Sequence, residues 1–209
     1  MNNLYIFWLL IKNTWWIFLP LVLFFILKIT YLGYLKARYY KNLKWVLLEV
    51  RIPREVAKPP LAMEQIFAGL HSAYRSFDFY EKYVSGIQQD YFSVEVAGIG
   101  GEIHFYFYTP SYYRNLIEAQ VYSQYPESEI REVDNYFASL PSDLPNEEFE
   151  VFGAEFVLAK EDAYPIRTYK EFSIEEISSK EEMRKVDPFS ALAEAFGKLR
   201  PGEYAGIQL

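Results

Sequence analysis

The feature that most constrains this chain is a nearly uninterrupted apolar run over residues 4–35. Residues 13–35 carry a single charge, Lys28, and at ~1.5 Å rise per residue a helix over this stretch is about 34 Å long. The hydrocarbon core of a bilayer is about 30 Å thick. The sequence therefore predicts one transmembrane helix over residues 13–35, inside an anchor that comprises residues 1–44.

The residues around the apolar run are those that favour the membrane–water interface. Aromatic side chains at both ends and basic side chains after the run are typical of interfacial belts and of cytoplasmic flanks. The predicted interface residues are Trp15, Trp16, Lys28, Tyr31, Tyr34, Lys36, Arg38, Lys41 and Lys44. A cleaved signal peptide carries its positive charges before the apolar core, whereas here they follow it. We expect a single-pass protein of the cytoplasmic membrane, with the N-terminus outside and the body from Trp45 onward in the cytoplasm.

The body has the opposite charge from the anchor. Six of the 21 basic residues and none of the 28 acidic residues precede Trp45, so residues 45–209 have a formal charge of −13. Nucleic-acid binding normally requires a basic surface, so direct binding of nucleic acid by this segment is disfavoured. The chain has no cysteine, which excludes disulfides, thiolate zinc sites and cysteine nucleophiles.

The pattern over residues 45–136 predicts an α+β module of the ferredoxin-like, or split βαβ, type. Its predicted elements are a strand over 45–52, a helix over 59–74, strands over 91–97 and 102–109, a helix over 110–125 and a strand over 129–136. The segment Gly98-Ile99-Gly100-Gly101 indicates a tight hairpin between the third and fourth of these elements. On one side of it the predicted inward face is Phe92, Val94 and Val96, and on the other side the matching face is Ile103, Phe105 and Phe107.

A linker and the start of a second α/β module follow in the sequence. Residues 137–148 carry two prolines and clustered polar residues, which is typical of a linker. Residues 149–209 then predict a strand over 149–159, a segment over 164–172 that extends this strand or pairs with it, a helix capped by Asp187-Pro188 and a strand over 203–209. Because this second module begins and is not completed, we expect the 209 residues to be part of a longer protein.

The sequence contains no recognisable catalytic, cofactor-binding or metal-binding motif, and predicts no enzyme activity or cofactor for this segment. Glu102, His104, Tyr106 and Tyr108 alternate along one predicted strand and would share its face away from the core. We consider this row a candidate partner-binding surface. Two other interpretations remain open: an acid–base pair of Glu102 and His104, or base stacking on the two tyrosines as in RNA-recognition modules.

Three segments resemble a known class of proteins. They are Pro60-Leu61-Ala62-Met63-Glu64-Gln65 with Leu70-His71; Gly100-Gly101-Glu102-Ile103-His104-Phe105-Tyr106; and Arg114-Asn115-Leu116-Ile117-Glu118-Ala119-Gln120-Val121-Tyr122-Ser123-Gln124-Tyr125-Pro126, continuing into Glu129-Ile130-Arg131-Glu132-Val133. Residues 45–136 thereby resemble the membrane-proximal region of type IV secretion or conjugative-transfer ATPases of the TraG/TraD coupling-protein and HerA-like class.

The resemblance implies a membrane anchor followed by α/β modules that precede a hexameric motor. No nucleotide-binding motif is present in this sequence, so no catalytic residue is carried over. The segment would position and assemble the motor at the membrane, as a homo-oligomer in contact with the lipid bilayer and with other secretion-machine proteins. A stand-alone membrane-tethered module that binds a protein or single-stranded nucleic acid is the alternative.

Overall fold

A computed structural model of the chain describes residues 3–53, 61–161, 164 and 189–209. The chain divides into two compact units. Unit one comprises Met1–Lys44 and Ala73–Asp90, and unit two comprises Trp45–Ser72 and Tyr91–Leu209. The chain therefore leaves unit two after Ser72 and re-enters it at Tyr91.

Unit one is built on the long helix α1, Asn3–Asn42. The stretch Thr14–Asn42 of this helix is long and apolar enough to cross a membrane, with a mean hydropathy of 2.0 in its most apolar window. None of the residues in that window is buried, as expected of a surface that faces lipid. Pro20 lies inside the helix without ending it. The predicted apolar helix is confirmed, and it is longer than the 13–35 span.

Residues 73–90 pack on the C-terminal half of α1. The Tyr39 hydroxyl donates a 2.9 Å hydrogen bond to the Asp90 carboxylate, and the Tyr40 hydroxyl donates a 3.1 Å hydrogen bond to the Gln89 carbonyl. Gln89 in turn closes the segment on itself, because its amide nitrogen donates to the Ala73 carbonyl at 3.3 Å. These bonds hold both ends of the segment together beside the helix.

The described part of unit two contains a five-stranded antiparallel sheet and three α-helices. In chain order its elements are β1 (Trp45–Arg51), α2 (Leu61–Leu70), β2 (Ser93–Ile99), β3 (Glu102–Pro110), α3 (Arg114–Gln124), β4 (Glu129–Val133), α4 (Ser190–Gly197) and β5 (Tyr204–Gln208). The strand order across the sheet is β4-β1-β3-β2-β5. The mixed α/β architecture predicted from the sequence is confirmed.

The predicted hairpin is confirmed, but because Gly98 and Ile99 still belong to β2, its turn is only Gly100-Gly101. Both glycines have positive φ, 56° and 93°, which a two-residue hairpin turn of the mirror-image type requires. The register pairs Val96 with Phe105 and Gly98 with Ile103. The predicted matching faces of the two strands are thus confirmed.

The main core lies between one face of the sheet and the helices α2 and α3. Its centre is formed by fully buried side chains from three elements: Leu48 of β1, Ile66 of α2 and Ile117 of α3. Helix α4 packs on the same face, where Phe196 and Leu199 approach the backbone at Gly98. Neither α2, α3 nor α4 packs on the opposite face of the sheet, which we call the open face. On β1, β2 and β3 it includes the side chains Leu47, Glu49, Arg51, Ser93, Glu95, Ala97, Glu102, His104, Tyr106 and Tyr108, and it continues onto β4 and β5.

The predicted strand over 149–159 is wrong. These residues are all described and form no hydrogen-bonded strand, and Phe152 is 94% exposed. An apolar run becomes a strand only where a neighbouring strand supplies its hydrogen bonds, and the edge of β2 pairs with β5 instead of with this run. The predicted Asp187-Pro188 cap and most of the 164–172 extension lie outside the described residues. The predicted helix and strand after them correspond to α4 and β5.

Strand β5 belongs to the same sheet as β1–β4. It pairs with β2, with Glu95 opposite Gln208 at one end and Ile99 opposite Tyr204 at the other. Residues 149–209 therefore contribute an edge strand to the sheet formed by residues 45–133. The assignment of 149–209 to a second module, like the linker over 137–148, stays a prediction.

Candidate functional site: the open face of the sheet

The centre of the open face is a row of polar side chains that crosses all five strands. Registered pairs place Arg131, Glu49, Tyr106, Glu95 and Gln208 side by side on β4, β1, β3, β2 and β5. Glu49 and Glu95 are only 4% and 5% exposed, and Tyr106 between them is 5% exposed. Two buried carboxyl groups on one sheet face are unusual, because a buried charge is costly unless it is paired.

Glu49 is held by two basic side chains. His104 Nδ1 lies 2.8 Å from Glu49 Oε1, and the Arg51 guanidinium lies 3.0 Å from Glu49 Oε2. Burial by itself raises the pKa of the Glu49 carboxyl, but the hydrogen bonds from His104 and Arg51 outweigh it, so the pKa is lowered overall. Glu49 is therefore a paired structural carboxylate.

Glu95 differs from Glu49 in its partners. Among the described residues, its side-chain hydrogen bonds come from hydroxyl groups and not from basic side chains. Ser93 Oγ donates to Glu95 Oε1 at 3.0 Å, and the Tyr136 hydroxyl donates to Glu95 Oε2 at 2.8 Å. Burial, the hydrogen bond to Glu95 and the charge of Glu95 all raise the pKa of Tyr136, while a hydrogen bond with Gln208 opposes them. The Tyr136 ring also stacks on Tyr106, with centroids 4.9 Å apart and planes 13° apart.

A recess of about 330 Å³ opens beside Glu95. Its walls combine aromatic rings with hydrogen-bonding groups, and its lining residues are Leu47, Tyr91, Ser93, Glu95, Tyr108, Asn135, Phe137 and Gln208. Trp45 packs against two of these rings. It stacks on Tyr108, with ring centroids 4.9 Å apart and planes 15° apart, and its centroid is 4.9 Å from that of Tyr91. A carboxylate flanked by aromatic faces is an arrangement that favours an organic cation such as a guanidinium or ammonium group.

The predicted partner-binding residues share one strand face, as expected, but they do not form one site. Glu102 has an 84% exposed side chain, and it lies 4.0 Å from His104, which is engaged with Glu49. Tyr106 was expected on an exposed face and is instead buried, because Tyr136 covers it. Only Tyr108 lines the recess. Among the residues that the structure describes, no group of three His, Asp or Glu side chains is placed to hold a metal ion.

The predicted membrane-interface residues are all on α1 or directly after it. Trp15, Trp16, Lys28, Tyr31, Tyr34, Lys36, Arg38, Lys41 and Lys44 are exposed on the surface of unit one. Their exposure is compatible with contact to lipid, and their place at a bilayer interface stays a prediction.

Glu49, Glu95 and Tyr136 were not among the predicted site residues. Glu49 and Glu95 each interrupt an apolar strand, in WVLLEVR and SVEVAGI, at a position that faces away from the helices. A single carboxylate inside an otherwise apolar strand was the available signal. Tyr136 lies in a short 3-10 turn, Tyr136–Ser139, where no periodic pattern indicates which surface the ring covers.

These features define a class: a mixed α/β body with a polar, recessed sheet face, preceded by an apolar helix long enough to span a membrane. The model of one family, a domain of unknown function (DUF8128), matches residues 37–201. Since this is well over half of the chain, the protein belongs to the DUF8128 family. No curated protein and no solved structure matches the chain.

Proposed function

We propose that this protein is a membrane-anchored docking module that assembles a protein complex at the cytoplasmic membrane. Helix α1 holds the chain in the bilayer, and the open face of the body binds a basic side chain of a partner protein. The observation that carries the proposal is the recess of about 330 Å³ beside the buried Glu95. Its aromatic walls and its carboxylate suit an arginine or lysine side chain.

The charge distribution supports this assignment. The body has a formal charge of −13, so its field attracts basic partners over the Debye length and raises their association rate. Arginine, tyrosine and tryptophan are the residues that most often anchor protein interfaces. The recess presents aromatic side chains on which such an anchor stacks, together with hydrogen-bond acceptors among its lining residues.

The proposal also includes the type of fold, the side of the membrane on which the body lies and the kind of complex that is assembled. The order strand-helix-strand-strand-helix-strand, with β4-β1-β3-β2 across the sheet, supports a ferredoxin-like module over residues 45–133. The basic residues after the apolar run support a cytoplasmic body. With the resemblance to conjugative-transfer ATPases, these features suggest that the assembled complex is a type IV secretion or DNA-transfer motor, in which several copies of the chain associate.

Titration of the full chain in lipid nanodiscs tests the docking site. N-acetyl-arginine methylamide is the probe and N-acetyl-alanine methylamide its control, with chemical shifts as the readout. We expect the arginine probe alone to bind, and Tyr108→Ala and Glu95→Gln each to weaken binding by roughly tenfold, the loss of about 1.4 kcal/mol for one cation–π or ionic contact. Equal shifts with both probes, or binding unaffected by the two variants, would refute the recess as a docking site.

Assembly is tested separately by the mass of the full chain in detergent, measured by light scattering and corrected for bound detergent. A species of several copies agrees with the proposal. A strictly monomeric chain at all concentrations contradicts the self-association that the motor assignment requires. Stacking of nucleic-acid bases has less support, because the Tyr106 ring is buried under Tyr136 and is not available to a base.

A further inference from the structure

A short aromatic turn in unit one exposes apolar side chains beside α1. The turn comprises residues 77–84, and its members Phe79 and Tyr80 are 76% and 64% exposed. Val84 is exposed as well. A contiguous exposed apolar patch marks a contact with a partner or a membrane, and not a surface adapted to water.

The turn is firmly built, so the exposure is a property of a defined structure. The Glu81 amide donates to Asp78 Oδ1 at 2.7 Å, and the Asp78 amide donates to Glu81 Oε2 at 3.2 Å. This reciprocal pair is a capping box, which fixes the start of a helical turn. Gly86 ends it with a φ of 72°, and the Ile87 amide donates to the Glu81 carbonyl at 3.0 Å.

The turn lies along the apolar part of α1. Its C-terminal end contacts the helix at Leu35, since a Cβ added at Gly86 would be 2.8 Å from the Leu35 Cβ. From there the turn reaches back toward the middle of α1. Together the two elements line an apolar groove of about 500 Å³, whose residues are Phe24, Leu27, Lys28, Tyr31, Leu32, Phe79 and Tyr83.

The position of the groove identifies its occupant. Phe24 and Leu32 both lie within the stretch of α1 that is apolar enough to cross a membrane, and Phe24 is about 16 Å along the helix from Leu35 at ~1.5 Å per residue. A surface continuous with a membrane-spanning helix at that depth contacts acyl chains. We propose that residues 77–84 are a second membrane contact, which inserts Phe79 and Tyr80 into the boundary between headgroups and acyl chains, in the leaflet that Lys28 faces. The inference rests on the proposed insertion of α1.

The polar groups of the turn set its depth. Asp78 and Glu81 are engaged in the capping box, and Arg75 pairs with Glu81. Charged groups do not enter the hydrocarbon centre without a large cost, so the turn stays near the headgroups. Lys82 lies over the Tyr83 ring, 5.6 Å from its centroid, where its ammonium group is able to reach anionic headgroups. Aromatic rings with polar neighbours are the side chains that favour this interfacial layer.

The absence of cysteine makes the experiment direct. Single variants Phe79→Cys, Tyr80→Cys, Leu23→Cys and Phe152→Cys of the full chain are labelled with an environment-sensitive fluorophore and reconstituted in vesicles of phosphatidylcholine and phosphatidylglycerol. Leu23 reports the insertion of α1, and Phe152 in the body gives the aqueous reference. Quenching by nitroxides attached to the headgroup, or to the end of the acyl chain, measures the depth of each label.

The proposal predicts that the labels at positions 79 and 80 emit at shorter wavelength than the label at 152. They are quenched most by the nitroxide near the headgroup, at a depth of about 5–10 Å below the surface. The label at 23 is quenched most by the nitroxide at the chain end. If labels 79 and 80 behave like label 152 while label 23 is quenched, the second contact is refuted and the anchor stands. If label 23 is also unquenched, the anchor and the second contact are both refuted. Quenching at 79 and 80 without quenching at 23 supports the contact and refutes a spanning α1.

Discussion

Removal of the Tyr136 hydroxyl tests the buried part of the open face. Tyr136→Phe keeps the ring that stacks on Tyr106, but removes the 2.8 Å hydrogen bond to Glu95, which is 5% exposed. A hydrogen bond to a charged group contributes about 1.5–3 kcal/mol, and the buried carboxyl keeps only the bond from Ser93 among those that the structure gives it. We therefore expect a loss of about 2 kcal/mol in the free energy of unfolding.

The assay is urea unfolding of the full chain in detergent micelles, followed by tryptophan fluorescence. Tyr122→Phe, at an exposed tyrosine of α3, is the matched control and should change stability by less than about 0.5 kcal/mol. In the Glu95→Gln background the effect of Tyr136→Phe should fall to about 1 kcal/mol, because the acceptor is then uncharged. A loss below about 0.5 kcal/mol, or an equal loss in both backgrounds, would refute the proposed bond.

The pH dependence of the same variant has a definite sign. Burial, followed by the hydrogen bond to Glu95, raises the pKa of Tyr136 above its ordinary value of 10.0. A raised pKa contributes stability that is fully present below about pH 10 and is lost as the pH increases further. The wild type should therefore lose stability more steeply than Tyr136→Phe above pH 10. Parallel curves would contradict the burial of this hydroxyl.

Three further predictions concern the sheet and its core. The pKa of Glu49 is lowered from 4.5, so Glu49 stabilises the folded state above about pH 4.5 and this stabilisation is lost as the pH falls further. In Glu49→Gln the free energy of unfolding should therefore fall less steeply at acid pH than in the wild type. Gly98→Ala should destabilise by about 1–3 kcal/mol in urea unfolding, since the new Cβ would lie 2.7 Å from Leu199 Cδ1, whereas Gly153→Ala, with open space around it, should be nearly neutral. Ile117→Ala at the fully buried centre of the core should cost about 2–5 kcal/mol in the same assay, and a cost below that range would contradict its burial.

The elements of unit two that were predictable are those whose signal is local. The glycine-rich turn and the alternating residues on either side predicted the β2–β3 hairpin and its faces. Both signals, the strand period of two and the glycines that allow positive φ, come from residues that are close together in the sequence. Helix α3 was also predicted from a local signal, because Ile117 and Val121 are four residues apart and therefore lie on one face of a helix. Helix α1 follows from hydropathy alone.

The features that escaped prediction depend on residues far apart in the chain. His104 meets Glu49 across 55 positions and Tyr136 meets Glu95 across 41, so neither pair has a local pattern. The apolar run that begins at Phe149 resembles a strand in composition, but it forms no ladder of hydrogen bonds with the sheet. The recess combines residues from β1, β2, β3, β5 and two irregular segments, and only Tyr108 among them was a predicted site residue.

The late position of β5 in the chain has a consequence for biosynthesis. The other four strands are complete at Val133, but the strand that covers the edge of β2 begins only at Tyr204. At about 5–20 residues per second, a ribosome needs roughly 4–14 s to make the intervening segment. During that interval the backbone groups of β2 that later bond to β5 are open to any extended chain nearby. A nascent chain of this protein therefore passes through a period in which mispairing or capture by a chaperone competes with its own last strand.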